Sequence, residues 1–480
     1  MHTLVNGQYG FHRDELLTLG NARHLAWGYV VYPPMTAFLA RLELGLFGTS
    51  LIGFRFFAAI AQGVILVLTG LTARELGGGR NAQLAAALAV AIGGHSLFSG
   101  GFTSYTTFDY VWWVVVAYFA ARLLKSGDAR WWLAIGAAIG LGLMTKYTMV
   151  FLASGVAGGV LLTPLRRHLR SWWFWCGVVV AILIVLPNAL WQIQNHFVSL
   201  QFLESIHTRD IGWGWTDNFL LGQLWKCTNP VTTPLWCAGL WYLFGTANGK
   251  RYRLLGWMYL IPLVALFAAK GRDYYLAPAY PMLLAAGALW GEQWVDSLTA
   301  GCAAIVKRVV WRTMAMAGLI AAALTLPIAP LGTAWWRVAD ASNNNFNMEI
   351  GWAELVETVA KVRTSLPAQE QTTLGILAAD EGEVNAINLY GPAYRLPTAI
   401  SGMNSNWMRG YGDPGPQTLI VVGLKRDLLV RIFDSCEVAG HLTNPYGIEN
   451  FALSGSPDVF VCRNLRVPWP EFWKRFRYYG

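Results

Sequence analysis

The sequence predicts a polytopic α-helical membrane protein that carries a C-terminal α/β domain on the extracytoplasmic side. Three observations predict it. Of 480 residues, 55% are hydrophobic and only 13% charged, with a mean hydropathy of +0.39, whereas soluble domains carry roughly 25% charged residues. Apolar runs near the length of a bilayer span recur from residue 50 to residue 331. The loops between these runs alternate in charge. The net charge of +9 is too dilute for a nucleic-acid footprint, so nucleic acid is not expected as a partner and the lipid bilayer is.

About ten spans are expected, near 50–74, 80–98, 107–125, 131–146, 148–163, 171–190, 228–246, 254–270, 274–292 and 311–331. Several are short, and 131–163 reads equally as a bent hairpin or a broken helix. One set of loops, at 74–80, 122–130, 166–170, 250–253 and 307–312, holds fourteen Lys and Arg. The other set holds five: Lys146, Arg209, Lys226, Lys270 and Arg272. Cation-rich loops stay in the cytoplasm. Residues 1–49, 99–106, 191–227, 270–273 and 334–480 then face outward. No span or signal peptide precedes residues 1–49, which predicts a first helix upstream of Met1.

Within residues 1–333, the membrane domain, the stretch 12–47 reads as two amphipathic helices on the membrane surface. Leu16, Leu19, Ala22, Leu25 and Ala26 form one apolar stripe, and Met35, Phe38, Leu39, Leu42 and Leu46 form another, with Arg41 and Glu43 opposite. Tyr32-Pro33-Pro34 breaks the chain between them. Residues 334–480 form the second domain. A helix over 349–365, strands at Thr373–Ala378 and Thr418–Val422, a helix over 424–433 and strands near 436–440 and 458–462 are expected there. Cys436 and Cys462 pair in an oxidising compartment or stay free thiols; both readings stand.

Polar residues at the ends of apolar runs are the candidates for chemistry. Asp14 and Glu15 lie in the first outward loop, where a carboxylate serves as general base on a hydroxyl or solvates a helix face. Asp109 stands at the mouth of an apolar span, a costly place for a charge and a functional one, though a first-turn carboxylate also suits a helix N-terminus. Lys146 interrupts another run, where it binds a phosphate or snorkels to headgroups. Lys270, Arg272, Tyr274 and Tyr275 crowd one tight outward turn and read as a phosphate clamp. Arg55 opens a span and either meets a phosphate or pairs with Asp14 or Asp109. The histidines show no ligand spacing. Two acidic residues could hold a divalent cation or none, so the metal is unknown and no cofactor is certain.

Outward carboxylates beside outward cations suit an enzyme acting on a lipid-linked phosphate. Asp14-Glu15, Pro33-Pro34, Phe54-Arg55, Asp109, Lys146-Tyr147-Thr148 and Lys270 through Tyr274-Tyr275-Leu276-Ala277-Pro278 resemble, in order and spacing over residues 8–292, glycosyltransferase family 39. That group holds the protein O-mannosyltransferases and the lipid A aminoarabinose transferase. The tail, with Gly351-Trp352-Ala353-Glu354-Leu355, resembles the outward domain of bacterial members.

The resemblance implies a GT-C-type glycosyltransferase of the bacterial inner membrane. It implies a polyprenyl-phosphate sugar as donor, a lipid, glycan or protein hydroxyl as acceptor, and inversion at the anomeric carbon. It implies Asp14 as catalytic carboxylate with Glu15 beside it, Asp109 as the second-loop acidic residue, and Lys270, Tyr274 and Tyr275 near the lipid phosphate. Two positions depart from the aminoarabinose transferases. Tyr32 stands where they carry a Lys before Pro-Pro, and Leu16 and Leu17 stand where an Arg follows the acidic pair. Both departures argue against aminoarabinose transfer and leave the donor phosphate to Arg55, Lys146, Lys270 and Arg272. A transporter or flippase of a lipid-linked saccharide, and a non-catalytic relative, are the competing readings. A transporter places its charges near the bilayer midplane, and here they lie at its boundary.

Overall fold

A computed structural model describes the chain from residue 1 to 480 apart from 344, 451, 452 and 454. Every apolar run predicted between 50 and 331 contains helix. Among the described residues, Leu51–Leu76, Tyr105–Ser126, Trp172–Gln194 and Ala300–Thr325 are long and apolar enough to cross a membrane. Met149–Leu162 followed by Pro164–Arg170 makes a fifth if this pair, bent by 102°, is one span. The others are shorter than the sequence suggested. Thr233–Gly245 and Trp131–Leu143 have 13 residues each, a rise of about 20 Å against roughly 30 Å of hydrocarbon. The run 80–98 breaks at Ile92-Gly93 into Arg80–Ala91 and Gly94–Ser99. The ambiguous stretch 131–163 is two helices, with Lys146 in the turn between them. Lys307, Arg308 and Arg312 are not in a loop, because helix Ala300–Thr325 begins earlier than its apolar core and carries them in its first half.

Small residues let these helices cross closely. A Cβ on Gly136 of helix Trp131–Leu143 would lie 2.0 Å from the Gly177 carbonyl of helix Trp172–Gln194. Backbone contact of this kind is how helices associate where lipid supplies no hydrophobic drive. The two loop sets stand at opposite ends of the bundle. At one end Glu75 takes Arg122 and Lys125, and Arg251 caps the carbonyls of Leu124 and Lys125. At the other end lie Asp14, Lys146, Asp210 and Arg272.

The tail is built on five strands: β1 (Leu374–Ala378), β2 (Ala399–Ile400), β3 (Thr418–Val422), β4 (Phe433–His441) and β5 (Asp458–Leu465). Their spatial order is β2-β1-β3-β5-β4, with β1 parallel to β2 and β3, and β5 antiparallel to β3 and β4. β1 and β3 are buried at every position because both faces are covered. Ile376 and Ile420 face helix Trp352–Ser365, while Leu377 and Val421 face Leu429, Phe472 and Trp473. Cys436 and Cys462 face each other across β4 and β5 and form a disulfide.

The expected surface position of the first helix is overturned up to Ala22, whereas Leu25 and Trp27 after it are exposed. In helix Arg13–Arg23 every residue from Glu15 to Ala22 is buried. Phe11, Leu16, Leu19 and Ala22 share one core with Trp352, Val356, Ile376 and Ile387 of the tail. The apolar stripe meets protein rather than lipid. In the second helix, Met35–Phe47, Arg41 is exposed as expected. Glu43 is instead fully buried and accepts the Phe57 N–H at 2.7 Å.

Candidate active site

Helix Arg13–Arg23 opens with a capping box. The His12 side chain accepts the Asp14 N–H, and Glu15 accepts the His12 N–H at 2.9 Å. This start turns Asp14 and Glu15 in different directions, and they have different fates. Glu15 has no exposed surface. Its oxygens accept Arg55 Nε at 2.9 Å and Nη2 at 2.6 Å, together with the Thr103 N–H at 3.0 Å. Arg55 spends its remaining donors on the carbonyls of Asn6 and Gly10 and on Glu349 at 3.3 Å. Neither reaches a substrate. The catalytic role expected of Glu15 and the phosphate-binding role expected of Arg55 are therefore corrected: the two form an internal ion pair that ties the first loop to the membrane helices.

Asp14 keeps 31% of its side-chain surface open. Asp14 is an electrostatic neighbour of Tyr105 and Tyr274. Those tyrosines, with Tyr275, surround Lys146, whose Nζ lies 5.6, 5.0 and 4.4 Å from the three ring centres. Such a cage holds an ammonium by cation–π attraction while leaving its protons for an anion. Lys146 is 7% exposed, and burial, only partly offset by Asp109, pushes its ammonium down to about 8. Tyr32 stacks on Tyr105 at 5.1 Å and accepts the Asn21 amide at 2.8 Å. Tyr32, the residue before Pro33-Pro34, thus extends the aromatic wall beside the cage.

Asp109 lies behind this wall. It is 1% exposed and accepts Thr148 Oγ1 at 3.2 Å. The residue expected as a reacting carboxylate is thus buried in the structure, and its charge acts on Lys146. His95 stacks near Tyr274 at 6.2 Å, and its buried Nε2 has no hydrogen-bond partner among the described residues.

Arg272 borders the cage. Asp210 accepts its Nε at 2.5 Å and its Nη2 at 2.6 Å, and its guanidinium lies 4.7 Å from the Trp215 ring centre. Arg209 donates to the same carboxylate at 3.1 Å. Two guanidiniums on one carboxylate leave net positive charge at a half-open surface. Lys270, expected in the phosphate clamp, is exposed and takes no part in the cage contacts. The tight turn 269–272, with Lys270 at φ +48°, separates its direction from that of Arg272. Tyr105, Asp210 and Trp215 escaped the sequence reading. Tyr105 sits at a predicted span boundary like many interfacial tyrosines, and Asp210 lies in a loop of ordinary polarity. Among the described residues no cluster of three or more His, Cys, Asp or Glu suits a metal ion.

Comparison with known proteins follows this geometry. Residues 31–191 match the family described as dolichyl-phosphate-mannose-protein mannosyltransferase. The chain is 26% identical over 266 residues to a lipid A galacturonosyltransferase of Rhizobium johnstonii, covering 53% of this chain and 54% of that protein. It is 28% identical over 298 residues to an undecaprenyl phosphate-alpha-4-amino-4-deoxy-L-arabinose arabinosyl transferase of Pseudomonas fluorescens, covering 57% and 51%. The chain thus spans about half the length of the curated relatives it matches. The crystal structure of ArnT from Cupriavidus metallidurans bound to undecaprenyl phosphate superposes with a TM-score of 0.56 at 14% identity, over 97% of this chain and 96% of that one. The chain thus shares the fold of that ArnT structure over nearly its whole length, and its residues 31–191 are similar to the dolichyl-phosphate-mannose-protein mannosyltransferase family.

Proposed function

We propose that the chain is a membrane glycosyltransferase that moves a sugar from a polyprenyl-phosphate donor to a hydroxyl of a lipid acceptor on the extracytoplasmic face. One observation carries the reading: a half-open carboxylate, Asp14, is an electrostatic neighbour of Tyr105 and Tyr274, two of the three rings that cage Lys146. Asp14 takes the proton of the acceptor hydroxyl. The freed oxygen attacks the anomeric carbon, the bond from that carbon to the phosphate oxygen breaks, and the lipid phosphate leaves with the electron pair. Lys146, with Arg272 at the border, offsets the charge that develops on it. Tyr274 and Tyr275 keep that lysine in place.

Two features support the outward direction of this end. The cation-rich loops lie at the opposite end, and the tail carries the Cys436–Cys462 disulfide, at home in an oxidising compartment. The Rhizobium johnstonii relative, named for lipid A, supports a lipid acceptor. The test is transfer in proteoliposomes from a radiolabelled polyprenyl-phosphate sugar to lipid A. Asp14→Asn is expected to lower turnover about 100- to 10,000-fold. Unchanged turnover in that variant removes Asp14 from the reaction, and label crossing the bilayer without joining an acceptor makes the protein a transporter.

A further inference from the structure

We infer that the tail domain is a working part of the catalytic site, with Asp380 acting through Arg13 as a positioning residue for Asp14. The inference rests on the reading of Asp14 as the base. Arg13 immediately precedes Asp14 in the first turn of its helix. Its Nε lies 2.9 Å from both oxygens of Asp380, and its Nη2 lies 2.8 Å from Oδ2. The same Nη2 stands 3.5 Å from Glu381 Oε1. Nη1 is then left to Asp14, whose Oδ1 it approaches at 3.5 Å. A planar guanidinium gripped along one edge by a carboxylate fixes where its other edge points.

Asp380 is itself held by hydrogen bonds. It caps helix Glu381–Tyr390, accepting the Gly382 N–H at 2.6 Å, and Glu383 closes the capping box by accepting the Asp380 N–H at 2.9 Å. Glu381 accepts the Asn404 amide at 2.7 Å. The Arg13 fork is thus referred to the tail framework, not to the flexible surface of a loop.

The contact is more than glue between domains, because other contacts already hold the helix. A Cβ on Gly20 would lie 2.0 Å from Asn385 Oδ1, Arg23 donates to the Asn388 carbonyl at 2.9 Å, and Arg409 donates to Asn21 at 2.7 Å. The shared apolar core lies beneath them. Removing the Arg13–Asp380 pair leaves this docking in place and frees only the first turn, where Asp14 sits.

The experiment measures donor KM and kcat in proteoliposomes for the full chain and for Arg13→Gln, Asp380→Asn, the double variant and Arg13→Lys. Asparagine caps a helix as well as aspartate, so Asp380→Asn removes charge and fork geometry without unwinding the helix. Expected is a loss in kcat of about 10- to 100-fold for each single variant, with donor KM within about twofold, since the phosphate cage is untouched. The double variant should be no slower than the worse single one, and Arg13→Lys should recover part of the rate. Wild-type kcat in both single variants overturns the inference. So does a loss that comes with a lowered melting midpoint in detergent, which makes the pair a docking contact. An Asp14→Asn variant that still turns over overturns the underlying reading instead, so the two failures are told apart.

Discussion

Glu15 and Asp14 are neighbours in sequence, yet one is sealed behind Arg55 and the other stands open. Their different surroundings decide what each can do. Replacing Arg55 by Met would strand Glu15 and Glu349 without their cation in the interior, at a cost of about 3–5 kcal/mol. The expected readout is loss of folded protein on size-exclusion in detergent, not a raised donor KM. Lys146 makes the opposite case. Its amine must be charged to hold a phosphate, and burial brings its deprotonation to about 8. Donor kcat/KM should therefore be flat below that value and fall as pH rises through it. Lys146→Arg should remove this alkaline limb, because a guanidinium keeps its proton. A pH–rate profile of the two proteins checks it.

Lone polar residues at the ends of apolar runs were legible from sequence: Asp14, Lys146, Tyr274 and Tyr275 all break a local pattern, and the last three meet at one place. Partners were not legible. Nothing in the order of residues says that Arg55 faces Glu15 across 40 positions, or that Asp210 takes Arg272 across 62. Burial set by tertiary contact decides these cases.

Among elements, the helices of residues 50–331 were readable because an apolar run this long has few alternatives. Their ends were not. A run such as 80–98 turns at Ile92-Gly93, a break that composition does not announce. Glycines carry more of the helix packing than the apolar side chains suggest. Helices Thr233–Gly245 and Tyr280–Asp296 approach so closely that a Cβ on Gly287 would lie 1.8 Å from the Leu235 carbonyl. Gly287→Val is expected to cost at least about 1–3 kcal/mol through forced separation of the two helices. Tyr280, in the second of them, bonds Tyr259 at 3.1 Å and Gln223 at 3.2 Å below the Asp273–Tyr275 turn. The same variant should therefore also lower activity, and detergent melting curves with transfer assays read both effects. The first-loop helix was readable as amphipathic, but its covering was not, because an apolar stripe looks the same against lipid and against a distant part of its own chain.

At the scale of the whole molecule the tail and the membrane helices are one assembly. The sheet of the tail was visible in its apolar strands, whereas helix Glu381–Tyr390, which docks on the first loop, has no strong periodicity to announce it. The tail also sets a pH response. Burial and the neighbouring Asp380 push Glu383 up to about 8, and burial pushes Glu381 up to about 7. Each binds its proton more tightly folded than unfolded, so each destabilises the fold as pH rises from the unfolded value near 4.5 to the folded one. The melting midpoint should fall between about pH 5 and pH 8, and Glu383→Gln, which keeps an acceptor for the Ala379 and Asp380 N–H groups, should flatten that slope.

Arg13 and Asp380 are 367 residues apart. A ribosome makes the first of them long before the second, so the opening helix waits, with its apolar side unmatched, until nearly the last fifth of the chain has emerged. An unfinished or shortened product therefore leaves Arg13 without the carboxylate that grips it and the opening helix without its cover.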